Sequence, residues 1–132
     1  MSEPTPPKPG QIGWHDLTVE NADELRTFYE KVFGFTSMPI SMGEYDDFVL
    51  LAPDGSPVGG VCHARGENQG IPPIWMSYVV VEDLDACVER AKAQGASIVH
   101  GPRSAGGGTI AILEDPAGAH LGLYQSAPAP DA

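Results

Sequence analysis

With 132 residues, 42% of them hydrophobic and 19% charged, the chain has room for one domain with a sizeable core and the composition of a soluble globular protein. Its 18 acidic and 7 basic residues give a formal charge of −11, which repels a phosphate backbone, excludes nucleic acid as a partner and favours a cationic ligand. No apolar run reaches the roughly 18 residues of a membrane span, MSEPTPPKPGQ has no apolar core for a secretory signal, and Cys62 and Cys87 make no disulfide framework; the expectation is a cytoplasmic protein with no membrane contact.

Residues 1–11 hold four prolines and no apolar period, so they are expected to be a tail, as are residues 126–132 (SAPAPDA). The fold is therefore expected within 12–125. Residues 14–19 read as a strand and 22–33 as a helix, with Ala22, Leu25, Phe28, Tyr29 and Val32 on one face. Asn21 followed by Glu24 predicts a capping box at its start. Three strand-like runs follow, at 35–42, 46–52 and 57–63. Residues 64–73 (ARGENQGIPP) have the composition of a flexible linker or lid.

The pattern then repeats. Residues 76–81 read as a strand, 83–94 as a helix with Leu84, Cys87, Val88 and Ala91 on one face, and 96–100, 108–113 and 119–125 as strands. Val19 and Val81 are 62 positions apart, Gly34 and Gly95 are 61 apart, and the turn glycines Gly55 and Gly118 are 63 apart. Three landmarks in one order at nearly one spacing indicate an internal duplication. The predicted fold is α+β: two tandem βαβββ modules, about 12–63 and 74–125, forming a curved, incompletely closed β-barrel-like cleft with one helix outside each module.

Strand parity selects the cleft residues. In the second module these are Met76, Tyr78 and Val80 with His120, Gly122 and Tyr124; in the first they are Trp14, Asp16 and Thr18 with Gly59, Val61 and His63. The candidate ligand-binding set is Trp14, Asp16, Met76, Tyr78, His120 and Tyr124, an aromatic and soft rim suited to a small molecule. Trp14 and Met76 could equally fill the cleft as core. Asp16 among apolar neighbours needs a partner, such as His120, Tyr78 or a cationic ligand, and Asp16 with His120 is the candidate pair for metal-free proton transfer. Parity puts His15 and Cys62 on the helix side, as structural residues. His63 and His100, at strand ends, are expected to be partly exposed.

The βαβββ duplication, the run Val19…Phe28-Tyr29…Phe33-Gly34-Phe35 and the segment Glu114-Asp115-Pro116…Gly118 resemble the vicinal oxygen chelate superfamily, which includes glyoxalases, bleomycin-resistance proteins and extradiol dioxygenases. Trp75-Met76-Ser77-Tyr78-Val79 with Gly101-Pro102 is similar to a glyoxalase-like branch. The resemblance implies four metal-ligand positions, here Trp14, Gly59 (or Gly60 if a bulge shifts the register), Met76 and Gly122. None offers the oxygen or imidazole donor of such a site, so no metal or other cofactor is expected. The resemblance also implies a homodimer. The leading expectation is a metal-independent protein binding a small, partly aromatic or cationic molecule. The alternative is a metal-dependent lyase, isomerase or dioxygenase relative with His15, His63 or His120 as ligands through a shifted register.

Overall fold

A computed structural model describes residues 6–127. They divide into two compact units, one of His15–Trp75 and one of the residues up to Trp14 with those from Met76 onward. Each unit holds one pass of the β-α-β-β-β order that the duplication predicts, apart from residues 12–14 and 75 of the two leading strands, which belong to the other unit.

The first pass runs β1 (Ile12–Val19), α1 (Ala22–Phe33), β2 (Thr36–Ser41), β3 (Asp46–Leu51) and β4 (Pro57–His63). The strands lie in the order β2-β3-β4-β1, with β1 parallel to β4 and the other pairs antiparallel. Ala22, Leu50 and Val61 are fully buried, and Val19, Leu25, Tyr29, Phe35 and Val58 pack around them. α1 stops at Gly34, which adopts the left-handed conformation (φ 73°) and donates its N–H to Glu30 O at 2.9 Å.

Two expectations for α1 are corrected. Asn21 does precede the helix, but it makes no side-chain cap: its Nδ2 donates to Glu24 Oε2 at 3.0 Å, so the two side chains satisfy each other instead of the backbone. Phe28 and Val32, placed on the buried face, are 52% and 54% exposed. At about 100° per residue they fall on one flank of the arc centred on Ala22, Leu25 and Tyr29, beyond what the sheet covers.

A third correction concerns β4. Leu50 pairs with Gly59 but Leu51 pairs with Pro57, so Val58 is an extra residue, a β-bulge. A one-residue slip turns every side chain to the other face. Val61 therefore packs under α1, and His63 reaches Asp23 of the same helix. Gly60 and Cys62, paired with Asp16 and Thr18, take the opposite face that parity had given to Gly59, Val61 and His63. The segment after β4 is tied down as well: a 3-10 turn spans Gly66–Asn68, Ala64 N donates to Val19 O at 2.9 Å, and Ile71 is buried.

The second pass runs β5 (Trp75–Val80), α2 (Leu84–Ala93), β6 (Ser97–Ala105), β7 (Gly108–Glu114) and β8 (His120–Ser126). The order is β5-β8-β7-β6, with β5 parallel to β8. Asp83 caps α2, its carboxylate accepting from Ala86 N at 3.0 Å. Leu84 and Val88 meet Ala111, Leu113 and Leu123 of the sheet, with Cys87 and Ala91 alongside, as the helical spacing predicts. β6 continues past its expected end at 100, through register shifts and a cis Gly101–Pro102 bond. Pro102 is accommodated because β6 is the outermost strand of this unit and its partner-free edge needs no ladder N–H.

Both tails are shorter than expected. Gly10 N donates to Val80 O at 2.8 Å and Val80 N to Gln11 O at 2.9 Å, so residues assigned to the N-terminal tail extend the β1 region. At the other end β8 includes Ser126, and Ala127 N donates to Gly107 O at 3.1 Å. The remainder of the expected tails, residues 1–5 and 128–132, lies outside the described residues.

Candidate functional site

In the second module Tyr78 lies opposite Gly122; in the first Asp16 lies opposite Gly60. The bulge thus makes Gly60, not Gly59, the counterpart of Gly122, and the metal-ligand positions of the resemblance read Trp14, Gly60, Met76 and Gly122. A Cβ on Gly122 would collide with the Tyr78 ring, so that ring lies flat over the position where a ligand side chain would start. Met76 is only 1% exposed, which leaves its thioether packed rather than offered. Among the described residues no group of three His, Cys, Asp or Glu could hold a metal ion. This donor set does not fit a divalent cation.

The face of the second sheet away from α2 carries the predicted residues Met76, Tyr78, His120 and Tyr124, since Leu121 and Leu123 between the last two pack toward the helix. Tyr78 is buried, while His120 and Tyr124 are half-buried. The Tyr124 ring lies over Gly108, where a Cβ would come within 2.7 Å of it. Two tyrosines therefore lie across two glycines of neighbouring strands, and the missing side chains are what let the rings lie down. His120 Nε2 is 3.6 Å from Glu114 Oε2, its cross-strand neighbour. Trp14 and Asp16 are half-buried. On β6, Arg103 Nε donates to His100 Nε2 at 2.7 Å. Burial first, and the Arg103 charge second, push the His100 pKa below its usual 6.5.

In the first module His63 is buried rather than partly exposed. Its backbone N–H donates to Asp47 Oδ1 at 2.8 Å, its Nδ1 lies 3.1 Å from the same oxygen, and its Nε2 is 3.6 Å from Asp23. Tyr45 packs edge-on at 5.0 Å and carries the Arg65 guanidinium 4.1 Å above its ring. Sequence reasoning missed this cluster because Asp23, Asp47 and His63 come from a helix and two strands and share no local pattern.

The same unit holds an open recess of about 370 Å³ lined by His15, Tyr29, Phe33, Phe35, Val58 and Trp75. His15 is on the helix side, as parity predicts, but exposed at this recess instead of packed beneath the helix. Trp75 Nε1 donates to Tyr29 Oη at 3.0 Å. The one signal for this group was the aromatic run Phe33-Gly34-Phe35 where the helix stops.

A family model described as the Glyoxalase/Bleomycin resistance protein/Dioxygenase superfamily matches residues 11–123. Among curated proteins, the chain is 29% identical over 120 residues to "Putative glyoxylase CFP32" of Mycobacterium tuberculosis, covering 90% of this chain and 45% of that protein. It is 28% identical over 130 residues to the anthracycline biosynthesis protein DnrV of Streptomyces peucetius, covering 89% and 47%. The chain thus spans less than half the length of these relatives. Among solved structures, methylmalonyl-CoA epimerase from Mycobacterium tuberculosis superposes with a TM-score of 0.58 at 19% identity, covering 89% of this chain and 88% of that one, a likeness of fold.

Proposed function

Since the chain belongs to the Glyoxalase/Bleomycin resistance protein/Dioxygenase superfamily, we propose that it binds a small, partly aromatic or cationic molecule without a resident metal. One observation carries the reading: the superfamily's ligand positions hold Trp14, Gly60, Met76 and Gly122, and the Tyr78 ring covers the last of them. The same compact unit leaves Trp14 and Tyr124 half-buried as an aromatic surface, with His120 as a polar group to orient a ligand, while Met76 and Tyr78 are buried. The name of the DnrV relative, which ties it to anthracycline biosynthesis, supports a flat polycyclic ligand. The acidic field supports a cationic one.

The test is a titration with doxorubicin, a flat and cationic anthracycline, on the Trp75→Phe variant, in which Trp14 is the sole tryptophan. Saturable quenching of Trp14 that weakens in Tyr124→Ala supports the reading, and an unquenched Trp14 overturns it. Elemental analysis completes the test. Substoichiometric metal is expected after dialysis against nickel, zinc, manganese and iron(II). A stoichiometric metal lost on substituting His15, His63 or His120 would make the metal-dependent enzyme the better reading.

The protein works in the cytoplasm as a homodimer. Among the described residues Cys62 and Cys87 are in no disulfide, which supports that compartment. The relatives' roughly doubled length supports the dimer, because two copies supply as many modules as one such relative could hold. Sedimentation should find one species at twice the 13.9 kDa chain mass; a monomer at all concentrations would refute the dimer.

A further inference from the structure

We propose that the recess beside the C-terminal end of α1 is a second binding site, for a flat, uncharged aromatic group, built from residues other than those of the sheet surface above.

The recess is assembled from rings in two orientations. Tyr29 and Phe33 are near-parallel (13°) with centroids 6.1 Å apart, and Phe33 and Phe35 are near-parallel (24°) at 5.3 Å. Trp75 stands almost perpendicular to Tyr29, at 76° and 5.5 Å. A flat ring entering here can stack on one wall and present its edge to the other, the two arrangements that aromatic quadrupoles favour. The Trp75 wall is held before any ligand arrives, because its indole N–H is bonded to Tyr29 Oη. Its floor is cut to receive it: a Cβ on Gly59 would come within 3.2 Å of the Trp75 ring and 2.6 Å of His15 O.

Chemistry and size narrow the occupant. Trp75 spends its N–H on Tyr29 Oη, so among the described residues the lining is apolar apart from that hydroxyl and His15. Among the described residues no Lys or Arg lines it, and the chain is strongly acidic, so an anion finds no counter-charge from them. No carboxylate among the described residues lines it either, so a cation gains nothing specific from them. About 370 Å³ accommodates a two- or three-ring molecule. Phe33 is 56% exposed and Trp75 37%, an aromatic surface whose removal from water favours binding.

The probe is 1-aminoanthracene, flat, neutral and brighter when removed from water, titrated into the full chain. Saturable enhancement is expected. Phe33→Ser, which removes an exposed wall and leaves the core intact, should weaken binding by about ten-fold, and Tyr29→Phe, which frees Trp75 to turn, by about three-fold. Lys31→Ala on the exposed side of α1 should leave it unchanged. The same affinity in wild type and Phe33→Ser, with both folded by circular dichroism, would overturn the proposal. So would absent binding in a wild-type dimer that Phe33→Ser dissociates, since a second copy would then cover the recess. The doxorubicin titration seen by Trp14 reads the other surface, so either site can fail without the other.

Discussion

Gly122 shows how much one absent side chain decides. A strand glycine usually weakens its strand, but here it is the only residue compatible with a tyrosine ring lying across it. Gly122→Ala should therefore destabilise the fold by about 2 kcal/mol through overpacking, measured by urea unfolding. Tyr78→Ala in the same background should recover part of the loss, because it removes the colliding ring; an additive penalty would disprove the contact. His100 supplies a pH prediction. Its native pKa is lowered, so the unfolded chain binds this proton more readily. The stability it contributes is complete above the unfolded value of about 6.5 and is lost as pH falls through the lower native one. The thermal midpoint should consequently drop less steeply below pH 6.5 in His100→Gln than in the wild type, since glutamine can keep a bond from Arg103 without titrating.

At the scale of elements, the two helices occupy equivalent places with different starts. Asp83 takes up the Ala86 N–H, whereas the Asn21 amide is turned to Glu24. Asp83→Ala should cost about 1 kcal/mol and Asn21→Ala only a few tenths, a contrast that denaturant midpoints would register. If both cost the same, the capping geometry assigned to one of them is wrong. The strands differ in a comparable way. β8 runs evenly against β7, while β4 takes in Val58 as an extra residue, and that single insertion exchanges the faces of Val61 and Cys62. The module copies are alike in order and unlike in which residues they turn toward the helix.

Over the whole molecule, the formal charge of −11 acts at distances no pairwise contact reaches. Affinity for the cationic doxorubicin should fall several-fold between about 20 and 200 mM salt, while that for neutral 1-aminoanthracene should hardly change, because screening acts only on the charged ligand. Equal salt slopes would remove the acidic field from the account of ligand choice.

The sequence by itself determined the element order, the duplication, the glycine stop of α1 and the parity of β8. The duplication rests on landmarks repeated 61 to 63 positions apart, and the others on periodicity and turn chemistry within about ten residues, where local sterics and hydrogen bonding govern the backbone. Of the candidate site, it placed His120, Gly122 and Tyr124 on the face of the second sheet away from α2. Only the tertiary structure decided the rest. The bulge at Val58 depends on how two strands settle against each other, and the His63 cluster and the Tyr29–Trp75 recess join side chains 16, 40 and 46 positions apart. Such contacts form where packing over the whole sheet is best, and no local period records that.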